Sequence, residues 1–184
     1  MGRRIDLITA PVGLAPGGYI KAAYADRTSA ATRSADLNVA KDGEAWRIEL
    51  AWACADPLRR IDGQPTRFVD AAAILVPGVE DASWMTMGAP DKPVEGALWR
   101  ADRDRPTRIH AAGLGSVTRA AAPESWRTEG TWNAGQWRVV FTLADWAALA
   151  QSRRCAIAVW QGAASERAVL KAVSPGWLEL EAPA

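Results

Sequence analysis

Histidine and cysteine are nearly absent from this chain of 184 residues, which holds one of the first and two of the second. That scarcity excludes much of catalytic chemistry. A Ser-His-Asp triad would have to use His110, yet this residue sits in the apolar run RIHAAGL with no nucleophile elbow nearby. Zinc sites draw on His and Cys at short spacing, and His110, Cys54 and Cys155 are scattered. The cysteines are too few for a disulfide framework and too far apart for a CxxC motif. Their alanine and isoleucine neighbours predict two buried free thiols, with a single bridge between them as the alternative.

Excess charge is missing too. Lys plus Arg total 22 against 21 Asp plus Glu, so no global field recruits nucleic acid or an anionic membrane. No stretch approaches the roughly twenty apolar residues of a spanning helix. The N-terminal segment breaks its apolar run at Pro11, Gly13, Pro16 and Gly17 and does not read as an export signal. GLGS at 113–116 lacks the third glycine of a dinucleotide loop, and GxxxxGK[ST] does not occur. Asp56, Asp62, Asp70, Asp81, Asp91 and Asp102 lie mainly at loop edges, where solvated turn residues are the ordinary explanation.

Tryptophan is abundant, ten residues against two Phe and two Tyr. Most belong in a core, because the indole buries a large area while its N–H still needs a partner. The surplus would suit a flat aromatic ligand. Short segments of alternating polarity bounded by Gly, Pro, Asp or Asn predict strands at 19–25, 35–41, 45–53, 71–76, 94–101, 109–114, 125–133, 136–143, 155–160 and 177–181. That number of strands at that spacing implies a mainly β, immunoglobulin-like sandwich with one or a few short helices. Turns at Asp42-Gly43 and Asn133-Ala134-Gly135 predict two hairpins. TLADWAALAQSRR predicts a helix with Thr142 as N-cap and Asp145 as its capping-box partner. The length fits one domain over 1–184, with residues 1–16 as an extended N-terminal arm.

Two segments are not explained by the strand pattern. MTMGAPDKPVEGALWRAD, at 85–102, puts methionine beside Gly88, Pro90 and Pro93, where no helix forms. A loop methionine is either covered or bound to something. Lys171 sits among Leu170, Ala172 and Val173, an apolar setting for a lysine, although a snorkelling surface side chain is the common reading of such a residue.

RIELAW, FVDAAAILVP, MGAPDKPVEGALWRAD, AAGLGSVTR, GQWRVVF and IAVWQGAASERAVLKAVSPGWLEL follow one another in this order. Together they resemble the haem-binding γ subunit of the ethylbenzene dehydrogenase and dimethylsulfide dehydrogenase group, within the dimethyl sulfoxide reductase superfamily. The resemblance runs from about residue 17 almost to the C-terminus. It implies a DOMON-like sandwich holding one haem b between the methionine of the MG....PV loop and the lysine of the ER...K..S..W segment. These are Met87 and Lys171 here; Met85 does not precede the glycine.

With both axial positions occupied, the implied work is electron transfer. The implied partners are an iron–sulfur β subunit, a molybdenum-cofactor α subunit and an external electron carrier. The resemblance also implies a periplasmic location, with the cytoplasm as the alternative because no export signal is visible. Trp84 and Trp99 flank the methionine loop, and Trp160 and Trp177 bracket the lysine segment, so all four are candidates to wall the macrocycle, or ordinary core. Arg100, Arg119 and Arg167 are candidates for the propionates. Glu95 and Gly96 depart from the Asn and aromatic residue common after PV in the family. Two rivals stay open: a haem-free module for a sugar or other small ligand, and a scaffold subunit that has lost its cofactor.

Overall fold

The structure is a computed structural model that describes residues 2–14, 22, 24, 26, 29–61 and 63–181. In chain order the strands are β1 (Arg3–Asp6), β2 (Ile8–Thr9), β3 (Ser34–Asp42), β4 (Ala45–Ala53), β5 (Ala71–Pro77), β6 (Val94–Arg100) and β7 (Thr107–Ala111). They continue with β8 (Thr118–Ala121), β9 (Trp126–Asn133) and β10 (Gln136–Leu143). After helix α1 (Ala147–Ser152) come β11 (Arg154–Trp160), β12 (Ala172–Val173) and β13 (Leu178–Glu179). One sheet runs β1-β3-β4-β10-β9 and the other β2-β12-β11-β5-β6-β7-β8, with β13 alongside β11. The expected sandwich is therefore the observed architecture.

Alternation explains how the two sheets meet. Leu37 and Val39 of β3, Trp46, Ile48, Leu50 and Trp52 of β4, and Trp137, Val139 and Phe141 of β10 point inward from the first sheet. Ala72, Ile74 and Val76 of β5, Trp99 of β6 and Ile157 and Val159 of β11 meet them from the second. At the centre Trp99 packs edge-on against Trp137 and Trp52, at centroid distances of 5.0 and 6.2 Å. Burial on this scale is the main source of stability.

Both predicted hairpins form. Asp42 pairs with Ala45 across Gly43 (φ 58°), and Asn133 pairs with Gln136 across Ala134 (φ 48°) and Gly135 (φ 83°). Two successive positive φ values match the right-handed twist of the strands they join. Residues 3–9 of the expected N-terminal arm are extended and paired: β1 lies beside β3 in one sheet and β2 beside β12 in the other. The strand expected at 19–25 lies largely outside the described residues.

The helix is shorter than its capping signals suggested. Thr142 belongs to β10, opposite Arg47 and Arg127, so it caps nothing; Trp146 occupies the N-cap position without a side-chain bond. The ladder with two neighbouring strands outweighs a local capping box, and Asp145 turns the chain at φ 56°. Cys54 and Cys155 are buried and free, as expected. Burial pushes both thiols up to about 12, aided at Cys54 by the Asp70 carboxylate. Among the described residues no helix is long and apolar enough to cross a membrane.

Candidate functional site

The outer face of the second sheet is as apolar as its inner face. Ala71, Ala73 and Leu75 of β5, Leu98 of β6, Ile109 of β7 and Ala156 and Ala158 of β11 turn away from the sandwich core. They floor a cavity of about 800 Å³, within the range typical of small-molecule and cofactor sites. Register explains its depth. Ala158 pairs with Ala73 and Ala73 with Leu98, so a row of mostly minimal side chains crosses the middle of the floor. On one side of this row Ala156 pairs with Leu75; on the other Trp160 pairs with Ala71. Those flanking rows are four residues apart, roughly 13 Å along the strands.

Met87 stands beyond the Leu75 row. With Leu75 and Trp177 it packs against a small buried cluster of Ala82, Val94 and Ala111, and it lines the cavity. Its backbone is left-handed at φ 58°, an uncommon state for a residue with a β-carbon. Gly88 follows at φ 82°, where an added Cβ would lie 2.5 Å from the Lys92 carbonyl oxygen. The loop is closed by the Gly88 N–H donating to the Ser83 carbonyl at 2.8 Å, and by a Lys92–Asp81 ion pair. Gly88 and Pro93 thus serve a close-packed loop that holds a thioether at the cavity wall.

Lys171 stands at the opposite end. Its ammonium lies 5.4 Å from the Trp160 ring centre and donates to the Ala168 carbonyl at 3.2 Å. Among the described residues no carboxylate comes within ion-pair distance of it. The side chain is half open, but its opening is the cavity itself, so crowding apolar walls desolvate the charge and push the amine down to about 8. A lysine that releases its proton this readily becomes a nitrogen donor.

Three of the candidate tryptophans border this space in different ways. Trp84 and Trp160 line the cavity. Trp177 packs against the same small cluster as Met87 and donates to the Ala82 carbonyl at 2.9 Å. Trp99 is placed otherwise: strand alternation sends Leu98 and Arg100 to the cavity and Trp99 to the core between the sheets, where it cannot touch a group bound there. Arg100, Arg119 and Arg167 all line the cavity. Arg100 is already bound to Asp102 through two hydrogen bonds of 2.9 and 2.8 Å, while Arg167 donates to the Tyr24 hydroxyl and covers the Phe68 ring. Glu95, the departure after PV, accepts from Trp146 and Arg108 at 2.9 Å each, away from the cavity.

Two buried carboxylates hold the cavity's border: Asp70, which reads in the sequence as a solvated loop-edge residue but is fully buried, and Glu166, which the sequence did not single out. Asp70 accepts from the Leu58 N–H at 2.8 Å, the Trp137 indole at 2.9 Å and the Gly162 N–H at 2.7 Å. Glu166 accepts from the Ala31 and Gln161 N–H groups at 2.6 and 2.7 Å. Both tie together loops distant in sequence, which no local motif announces. The alanine floor did leave a signal in AAAIL and CAIAV, where alternate alanines mark a strand face kept low.

The residues present suit a haem. Met87 and Lys171 would hold the iron, because a soft sulfur donor and a neutralisable amine line one largely apolar cavity of suitable size. No family model matches the chain. Over 180 residues it is 29% identical to a Haloferax mediterranei protein named as a respiratory nitrate reductase haem subunit, covering 92% of this chain and 62% of that one. Over 155 residues it is 31% identical to the dimethylsulfide dehydrogenase γ subunit of Rhodovulum sulfidophilum, covering 77% and 58%. The chain is a relative of both subunits. It spans about three fifths of their lengths. A family 9 carbohydrate-binding module from Caldicellulosiruptor kristjanssonii, solved with glucose, aligns with 86% of this chain and 81% of that one at a TM-score of 0.45 and 12% identity. At that score the likeness bears on nothing at the site.

Proposed function

We propose that this chain is a b-type cytochrome subunit that transfers electrons within a molybdenum-containing oxidoreductase complex, with Met87 and Lys171 as axial ligands. The observation that carries this reading is the placement of a thioether and a desolvated lysine amine, its proton loosened by burial, beyond opposite ends of one alanine-floored cavity. The names of the two relatives support it.

Each residue has a defined task. Met87 offers a neutral sulfur, which favours the ferrous state and so raises the potential. Lys171 offers its amine once the proton has left, and the desolvating walls lower the cost of that step. Trp84 and Trp160 cover the ring and keep water from it. Trp99 supports the floor from the core side. Bound haem supplies a one-electron redox centre. Two protein ligands would leave no open position for a substrate, so the chain's part is relay, between an iron–sulfur subunit coupled to a molybdenum subunit and an external carrier.

The test is the absorption spectrum of the purified protein, oxidised and dithionite-reduced, with haem quantified as its pyridine haemochrome. Near-stoichiometric haem b in a six-coordinate low-spin form is expected, and Met87→Ala and Lys171→Ala should each produce high-spin or water-ligated iron. A protein that stays colourless and refuses haemin is instead a haem-free binding module or scaffold.

A further inference from the structure

We propose that Gly113 and Ser116, in the loop between β7 and β8, are positioning residues that hold the Met87 thioether in place; this rests on the reading of Met87 as an axial ligand. Met87 keeps a left-handed backbone without being glycine, a conformation that persists only where its surroundings enforce it. Most of the enforcement is local. The Met87 N–H donates weakly to the Trp84 carbonyl at 3.3 Å, and the Thr86 hydroxyl donates to the Gly88 carbonyl at 3.1 Å. The Met87 carbonyl, however, accepts from the Gly113 N–H at 2.9 Å, a bond that ties it to a distant turn.

That turn is itself fixed. Gly113 takes φ 117°, a state that L side chains rarely adopt. Ser116 closes it from within: its hydroxyl donates to the Gly113 carbonyl at 2.6 Å and accepts from the Ala112 N–H at 2.7 Å. The Ser116 N–H donates to the same carbonyl at 3.2 Å. Ser116 therefore holds the Ala112 N–H and the Gly113 carbonyl, the groups on either side of the peptide whose N–H reaches Met87. An exposed serine at a loop tip is ordinarily dispensable, which makes its expected influence on the iron a sharp test.

Gly113→Ala is a usable variant because its Cβ would meet only the Gly88 carbonyl oxygen, at 3.9 Å, so the substitution strains the turn without a clash. Gly88→Ala is not, since its Cβ would strike backbone. The experiment loads Gly113→Ala, Ser116→Ala, Ser116→Thr and Met87→Ala with haem and compares low-spin fraction, midpoint potential and the rate at which ferrous protein binds carbon monoxide. Gly113→Ala and Ser116→Ala should keep stoichiometric haem but bind carbon monoxide about tenfold faster at a lowered potential, as a loosened sulfur dissociates more often. Ser116→Thr, which keeps the hydroxyl, should restore the native rate. Native rates and potentials in both loosening variants, with Met87→Ala altered, would overturn the positioning role alone. An unaltered Met87→Ala would instead remove Met87 from the iron and the proposal with it.

Discussion

Lys171 Nζ lies 5.4 Å from the centre of the Trp160 ring, and its strongest polar contact is a neutral carbonyl, that of Ala168 at 3.2 Å. Cation–π attraction and one neutral acceptor compensate poorly for lost water, which is why the amine titrates near 8 where an ordinary lysine titrates at 10.5. The unfolded chain holds this proton up to about pH 10.5 and the folded chain only to about pH 8. Stability of the haem-free protein therefore carries a penalty below pH 8, which fades as pH rises through that window. Lys171→Met removes the charge and keeps the length. It should be more stable than the native chain by about 1–2 kcal/mol at pH 7, allowing for water in the cavity, and by almost nothing above pH 10.5. Urea unfolding of both proteins at several pH values measures the gap; a gap independent of pH would mean that the lysine is solvated.

The alanine floor predicts a separation of binding from folding. Ala73 and Ala158 face the cavity, and a larger side chain at either grows into open space instead of the core. Ala73→Leu and Ala158→Leu should each lower haem affinity by roughly tenfold or more, by occupying the ring's volume, while changing stability by less than about 1 kcal/mol. Haemin titration and thermal unfolding of the apoproteins decide it. Full haem binding by both variants would move the ring off this floor.

Much of this site can be followed in the sequence, and the parts that cannot share a cause. Met87 and Lys171 stand out because glycine, proline and apolar neighbours are local signals. The β3–β4 and β9–β10 hairpins do so because each turn writes its own register. Trp99 misleads because β6 is apolar on both faces: alternation says that Leu98 and Trp99 part company, but not which of them meets the core. Thr142 misleads because a capping box is local, whereas the strands beside it are not. Asp70 misleads for the same reason: it reads as a solvated loop-edge carboxylate, but its partners Leu58, Trp137 and Gly162 come together around it only in the fold.

Asp70 should be the most sensitive polar position in the chain. A carboxylate with three N–H donors is matched by no neutral side chain: in Asp70→Asn the amide nitrogen must face a donor whichever way it is turned. A loss of about 3 kcal/mol is expected, with the 58 and 162 segments released from each other. Chemical denaturation measures the loss, and hydrogen exchange at Leu58 and Gly162 locates it. A loss below about 1 kcal/mol would show that water replaces the carboxylate.

Gly130 of β9 marks where the edge of one sheet touches the cavity-bearing sheet through the core. A Cβ there would lie 2.3 Å from the Trp99 Cζ2 atom, and Trp99 has no room to retreat, wedged 5.0 Å from Trp137 and 6.2 Å from Trp52. Gly130→Ala should therefore destabilise the protein by roughly 2–3 kcal/mol, the usual range for overpacking. The offending atoms belong to the six-membered ring of the indole, which phenylalanine at this position would not extend as far. Against a Trp99→Phe background the same Gly130→Ala change should cost less than about 1 kcal/mol, a coupling that a double-mutant cycle reads directly. Strict additivity would instead mean that β9, as an edge strand, slides away from the sandwich to relieve the contact, and that Trp99 leaves its position unchanged.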